Sequence, residues 1–443
     1  MARRYFGTDG VRGRVGEYPM TVDFALRLAS TAARVLAPAG GQALVGKDTR
    51  LSGYMFEAAL EAGFVAAGVD VHLIGPLPTP GIAYLTQRFG CDFGVVISAS
   101  HNLFDDNGIK FFDGSGSKLS DEREEEIERE LEKPAVTRAS NALGRATRID
   151  KSRGVYQEFC ASTLPKGMDL RGLKIVIDCA NGAAYKVGPR ILADLGAEIV
   201  PIGCSPNGRN INLNCGSTSP ELLRMMVPGV GADVGIALDG DGDRLVMADA
   251  QGRLMDGDHL LYIIARDRRA QGELKGPVVG TVMSNLGLEH ALAAEGIAFM
   301  RAKVGDRYVL ALLKEHGGVL GGETSGHLLC LDRTTTGDGL VSALQVLAAM
   351  KRTGQPLSEL AAGMPHYPQV MVNVRVQERT DPAKSAAIQA AVQSAERQLG
   401  ASGRVVLRAS GTEPVIRVMV EGREPGEVNR LANELAETVR KAV

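Results

Sequence analysis

The sequence predicts three α/β domains with mixed, mainly parallel sheets, followed by a C-terminal α+β domain, all arranged around a central cleft. Three observations carry this reading. The chain has 443 residues, too many for one hydrophobic core. Apolar strands alternate with helical patterns, and that rhythm restarts at two later points. After His366 the order changes to strand, helix, two strands and a final helix. The expected divisions are 1–152, 153–256, 257–366 and 367–443.

Each element has its own reason. Ala43 to Val45 reads as a short strand. After Ser52, the residues Phe56, Ala59, Leu60, Gly63, Phe64 and Ala67 recur at helical spacing, and Gly68 stops the helix. Val71 to Ile74 is a second strand, the Pro-rich PLPTPG is a turn, and Gly94 to Ile97 is a third strand. Ser120 to Lys133 reads as an exposed charged helix ended by Pro134. The pattern restarts at Lys174 to Asp178, with a helix capped near Gly196 and a strand from Ile199 to Ile202. It restarts again at Val278 to Val282, with Gly296 ending a helix before Ile297 to Met300. The last domain holds a strand at 371–376, a helix at about 382–399, strands at 404–408 and 415–420, and a terminal helix.

Composition narrows the function classes. Hydrophobic residues make up 44% and charged residues 23%, with a formal net charge of -2. That balance argues against nucleic acid or an anionic membrane as partner. The start, MARRYFGTDG, lacks the apolar stretch of a secretory or twin-arginine signal, and no run is long enough to span a bilayer. A cytoplasmic location is expected. Six cysteines form no metal-binding spacing and read as reduced, buried thiols. Neither a GxxxxGK[ST] P-loop nor a GxGxxG fingerprint is present.

Each α/β unit has one apolar strand that opens onto a polar loop: Ser98 to Asn102, Asp239 to Arg244 (DGDGDR) and Gly321 to His327 (GGETSGH). Ligands of open α/β sheets bind at the carboxyl ends of strands, so three such loops suggest a cleft shared between domains. In DGDGDR, the glycines let Asp239, Asp241 and Asp243 converge, and a hard divalent cation offsets their repulsion. An EF-hand does not fit, because Arg244 and Ala250 stand where Gly and a bidentate Glu belong. Three protein ligands leave positions for water or a phosphate oxygen, as Mg²⁺ prefers. In RASGTEPVIR, Ser410, Gly411 and Thr412 can form an anion nest, with Arg408 and Arg417 as guanidinium forks. In SASHN, His101 follows Ser100 directly, so its ring is expected to point away from that serine. No GxSxG elbow is present. A serine facing a cation can carry a phosphoryl group, with Lys110 as a further cation or proton carrier. Taken alone, the motif leaves that role and a simple strand-end turn equally open.

The ordered set YFGTDGVRG, GKDTRLSG, ISASHN, DNGIKFF, CANGAAYKVGP, NINLNCGST, DGDGDR, VGTVMSNLG, KVGDRYV, GGETSGH, TTTGDG and RASGTEPVIRVMVEG resembles the α-D-phosphohexomutase superfamily. The VGDRYV and NIN-CGST stretches are most similar to its phosphoglucosamine mutases. The resemblance spans nearly the whole chain. It implies a phosphoserine at Ser100 and Mg²⁺, one per active site, held by Asp239, Asp241, Asp243 and the phosphoserine. It places Arg12, Lys110 and Arg244 around the transferred phosphoryl group, with His101 in the catalytic loop. Substrate contacts are implied for Asp306 and Arg307 of KVGDRYV, for Glu323, Ser325 and His327, and for Arg408, Ser410, Gly411, Thr412 and Arg417. The implied partner is a small sugar phosphate, with glucosamine 1,6-bisphosphate as intermediate or activator, in a monomer or homodimer. Leu103 stands where proline is usual, and Thr324 where glutamine is. A phosphomannomutase or phosphoglucomutase, a metal-dependent phosphatase, and an inactive sugar-phosphate-binding protein are the alternatives.

Overall fold

The computed structural model describes residues 4–7, 9–376, 381–409 and 414–442. Its first sheet has seven strands, in the order Phe6–Gly7, Gly10–Arg14, Asp106–Asp113, Phe93–Ile97, Gly41–Lys47, Val69–Pro76, Ala146–Arg148. The strands Phe93–Ile97, Gly41–Lys47 and Val69–Pro76 run parallel. Asp106–Asp113 and Gly10–Arg14 extend the sheet in antiparallel fashion. Every residue of Phe93–Ile97 is buried, because helices cover both faces of the sheet. Val45, Val95 and Ile97 pack with Phe24, Leu28, Phe56, Leu60 and Phe64 on one face. Leu44 and Val96 pack with Ile82 and Leu85 on the other. Burying each such side chain contributes about 1.5–3 kcal/mol, and alternation along the strand serves both layers.

The second sheet runs in the order Leu254–Met255, Leu245–Asp249, Val234–Leu238, Lys174–Asp178, Glu198–Ile202. The third runs Phe299–Ala302, Val278–Thr281, Leu320–Gly322, Leu328–Cys330. Both combine parallel strands with an antiparallel edge. The last domain is an antiparallel sheet with Val415–Gly422 between Gln369–Arg375 and Gly403–Ala409. The helices Ala386–Leu399 and Pro425–Ala442 cover it and share its separate core. One continuous apolar core joins the first three units. The C-terminal domain is docked instead by polar links. Arg404 donates to the carbonyls of Val282 (2.9 Å) and Ser284 (2.5 Å), and Glu421 accepts from the Leu286 N–H (2.8 Å).

Two expectations are corrected. The charged helix spans Asp121–Glu130 and is not wholly exposed, since Glu124 and Ile127 are buried. Glu124 is buried because Arg307 of the third unit donates to it (3.1 Å). A short 3₁₀ turn, Pro382–Lys384, precedes the helix Ala386–Leu399. The segment DNGIKFFD is a buried strand whose polar residues are paired rather than solvated. Asn107 donates to Ser52 Oγ (2.8 Å) and Lys110 to Asp241 (2.8 Å).

Candidate active site

Three strand ends meet a fourth element in one cleft of ≈ 650 Å³. Its walls include Arg12 and Ser100 from the first unit, Arg244 from the second, Glu323 from the third, and Arg408 and Arg417 from the last. The serine loop leaves the strand Phe93–Ile97 and turns at Ser100, which adopts a left-handed backbone (φ 52°). A serine held there costs about 1–3 kcal/mol, so its surroundings must impose it. The Ser100 carbonyl accepts from Arg50 (3.2 Å) and from Asn212 Nδ2 (2.9 Å). The Asn102 carbonyl accepts from the same two side chains. Asp48 pairs with the fully buried Arg50. Ser98 is buried behind the turn, where its Oγ accepts the Ser100 N–H (2.9 Å). Of the two serines, Ser98 braces the loop and Ser100 faces the acidic residues.

The Ser100 hydroxyl donates to Asp239 Oδ2 (2.6 Å). DGDGDR follows the buried strand Val234–Leu238. Its first glycine permits the approach, because a Cβ on Gly240 would lie 2.7 Å from the Ser100 carbonyl oxygen and 2.6 Å from Asn212 Nδ2. Gly242 has a positive φ of 73°, which lets the loop turn back. Ligand oxygens of Asp239, Asp241 and Asp243 lie within 4.8 Å of one another, and all three residues are buried. Burial and the neighbouring Asp243 and Asp241 push the Asp239 carboxyl well up. Burial also opposes ionisation of Asp241, but Lys110 overcomes it and Thr79 adds a hydrogen bond (2.7 Å), so Asp241 stays ionised. Asp241 Oδ1 and Asp243 Oδ1 are buried with no hydrogen-bond partner. Converging carboxylate oxygens of this kind suit a hard cation such as Mg²⁺.

A second layer of charge surrounds this centre. Lys110 bridges Asp241 and Asp9, each at 2.8 Å. Burial works against its charge, yet the two carboxylates hold its pKa above the usual lysine value. Lys118 bridges Asp9 (2.5 Å) and Asp306 (2.6 Å), and so joins the first unit to the third. Arg12 pairs with Asp9 at the cleft wall. Burial lowers the pKa of Arg244, but the three aspartates more than compensate. The two imidazoles of the cleft take opposite states. Burial, Arg244 and Arg12 bring His101 down to about 4, so it is neutral. His327 is buried too, but Asp243 and Asp306 raise it to about 9. The His101 ring does not turn away from Ser100 as expected: its Nδ1 lies 3.4 Å from Ser100 Oγ. The left-handed turn at Ser100 brings the adjacent side chains together.

On the wall contributed by the third unit, Glu323 lines the cleft and accepts the Gly305 N–H (3.0 Å). Thr324 donates away from the cleft to Asp258 Oδ2 (2.8 Å), and Ser325 is exposed beside it. Arg307 is turned toward Asp121 and Glu124 of the first unit, whereas Asp306 lines the cleft. Leu103 is exposed on the serine loop. Arg408 and Arg417 are cross-strand partners in the last sheet. Burial, and then Arg417, lowers the Arg408 pKa. Like charges in register repel, so an anion between them is favoured. Ser410, Gly411 and Thr412 lie outside the described residues. Arg50, Asp48, Asn212, Thr79, Asp9 and Lys118 belong to this network but drew no role from the sequence. GKDTR and NINLN were visible as motifs, but their partners are distant in the chain.

Among the described residues, no helix is long and apolar enough to cross a membrane. The chain matches the four phosphoglucomutase/phosphomannomutase family descriptions. Alpha/beta/alpha domain I covers residues 3–137, domain II 156–252, domain III 256–367, and the C-terminal domain 371–438. It is 59% identical to a phosphoglucosamine mutase of Thioalkalivibrio sulfidiphilus, covering 99% of this chain and 98% of that one. It is 56% identical to one of Alcanivorax borkumensis, covering 100% of both. Among solved structures, a phosphoglucomutase/phosphomannomutase family protein of Burkholderia thailandensis shares the fold, with a TM-score of 0.81 at 24% identity over 98% of this chain and 97% of that one. The N-acetylphosphoglucosamine mutase of Aspergillus fumigatus, in complex with GlcNAc-6P and magnesium, does so with a TM-score of 0.72 at 20% identity, over 99% and 96%. The chain therefore belongs to the phosphoglucomutase/phosphomannomutase family of isomerases and, within it, to the phosphoglucosamine mutases.

Proposed function

We propose that the protein interconverts glucosamine 6-phosphate and glucosamine 1-phosphate in the cytoplasm by relaying a phosphoryl group through Ser100. The observation that carries this reading is the Ser100 hydroxyl, held 2.6 Å from Asp239 in a buried turn at the mouth of an acidic, cation-suited loop. Asp239, Asp241 and Asp243, with an oxygen of the phosphorylated serine, would hold one Mg²⁺. A bound Mg²⁺ neutralises charge on the phosphoryl oxygens.

The chain's own residues do the rest. The sugar O1 bonds to phosphorus as the bond from phosphorus to Ser100 Oγ breaks, giving glucosamine 1,6-bisphosphate. The proton lost by O1 ends on Ser100 Oγ, which departs as a neutral hydroxyl, and the His101 ring, 3.4 Å from Oγ, stands beside that departing oxygen. Arg12, Lys110 and Arg244 offset the negative charge of the transferred group. Phosphoryl transfer asks mainly for positioning and charge stabilisation, and the bracing by Arg50, Asn212 and Ser98 supplies the positioning. The bisphosphate then reorients, its 6-phosphate returns to Ser100, and glucosamine 1-phosphate leaves. Glu323 accepts hydrogen bonds from sugar hydroxyls, while Arg408 and Arg417 grip whichever phosphate is not reacting. A clamp of two guanidinium forks on a separate domain suits both orientations of the sugar.

A panel of glucosamine, glucose and mannose phosphates tests the substrate. Glucosamine phosphate should have the highest kcat/KM, and Glu323→Gln should lower turnover on it roughly ten- to hundredfold, as expected for loss of a charged hydrogen bond. Preference for glucose 1-phosphate by kcat/KM would overturn the substrate assignment.

A further inference from the structure

We propose that Asp256, His259 and His366 form a second cation site, separate from the acidic loop and selective for a borderline divalent ion of the zinc class. Asp256 caps the helix Gly257–Ala270 and accepts the His259 N–H (3.1 Å). The same carboxylate oxygen lies 2.7 Å from His259 Nδ1. With Nδ1 deprotonated, that nitrogen and the carboxylate oxygen are close enough to share one ion. The ring of His366 lies nearly parallel to that of His259, with centroids 5.8 Å apart and an interplanar angle of 12°.

One ligand atom from each of the three residues lies within 4.8 Å of the others. Tetrahedral zinc, with Zn–N of about 2.0–2.1 Å, separates its ligands by roughly 3.3 Å. The gap is small enough for the exposed His366 side chain to close by a rotamer adjustment. The three residues also line a cavity of ≈ 560 Å³ that reaches Ser217 and Pro220 of the second unit, which leaves room for water to complete the coordination.

Ligand chemistry separates this site from the first. Three carboxylates suit a hard ion, whereas two imidazoles and one carboxylate favour zinc, cobalt or nickel over magnesium. None of the three residues lines the active cleft. Their position gives an ion there a mechanical consequence. Tyr367, next to His366, is already fastened by Asn285, which donates to its carbonyl (2.9 Å) and accepts its N–H (3.1 Å). The strand Gln369–Arg375 of the C-terminal domain follows. Beside that tie to Asn285, a bound ion would fasten the linker to the first turn of the helix Gly257–Ala270.

The test uses the full-length protein, stripped by a chelator and then held in excess Mg²⁺ to saturate the acidic loop. Zinc alone is titrated in and counted, and Co²⁺ replaces it for absorption spectra. The expected result is one zinc per chain that Mg²⁺ does not displace, with no thiolate-to-cobalt charge-transfer band. His259→Gln and His366→Gln should each raise the zinc Kd more than about tenfold, since even outer partners of a metal site cost that much. His366→Gln lies on an exposed linker and should keep its circular dichroism and mutase turnover, so it decides the matter even if His259→Gln fails to fold. Zinc displaced by Mg²⁺, a thiolate band, no stoichiometric binding, or unchanged affinity in His366→Gln would each overturn the proposal.

Discussion

The two ends of the cleft are built differently. At one end Ser100, Lys110, Asp239 and Asp241 are all buried, and each is held by partners from another part of the chain. At the other end Arg408 and Arg417 stand in register on two strands of a small sheet, in a domain with its own core that is docked by polar contacts. The first arrangement fixes geometry and the second supplies charge. In the proposed mechanism, transfer to and from one serine would need the former, and gripping two different phosphates in turn would need only the latter. Damage at the reactive end should therefore appear in kcat, and damage at the distal end mostly in KM.

The largest expected effect is from Lys110→Met. Removing one charge aimed at the reacting group typically costs about 10²–10³ in kcat. It also leaves Asp9 and Asp241 without a shared cation, and breaking a buried pair destabilises by roughly 3–5 kcal/mol. Steady-state kinetics and thermal melts should show both, with KM little changed. Arg417→Ala comes next. Loss of a charge-assisted hydrogen bond to phosphate, about 1.5–3 kcal/mol, should lower kcat/KM roughly ten- to hundredfold, chiefly by raising KM, with the melting temperature nearly unchanged. A pure kcat effect from Arg417→Ala would erase the contrast between the two ends. Thr324→Gln should do least. Its hydroxyl is bonded to Asp258, away from the cleft, so the glucosamine-to-glucose preference should shift by less than about tenfold, under ~1.4 kcal/mol.

What the sequence disclosed follows the same division. Strands such as Lys174–Asp178 and Val234–Leu238 are legible because apolar runs ending in polar loops are a local signal. The acidic triad is legible because its spacing is itself the chemistry. The strand Asp106–Asp113 is not, since Asn107 and Lys110 look solvent-facing until Ser52 and Asp241 are seen to pair with them. Arg50 and Asn212 were hidden for a related reason. Their work is to hold two carbonyls of a turn remote from them in sequence, and no local pattern records such a contact. The orientation of His101 depended on one backbone dihedral, the positive φ of Ser100, which a serine rarely adopts and composition does not announce.

The central claim is that Ser100, and not its buried neighbour Ser98, carries the phosphoryl group between the two ends of the sugar. Peptide mass spectrometry of the wild-type protein after brief incubation with glucosamine 1,6-bisphosphate and Mg²⁺ tests it most directly. The geometry predicts phosphate on Ser100 alone, discharged by adding glucosamine 6-phosphate, absent in Ser100→Ala and retained in Ser98→Ala. Phosphate on Ser98, or full turnover with neither serine labelled, would contradict it.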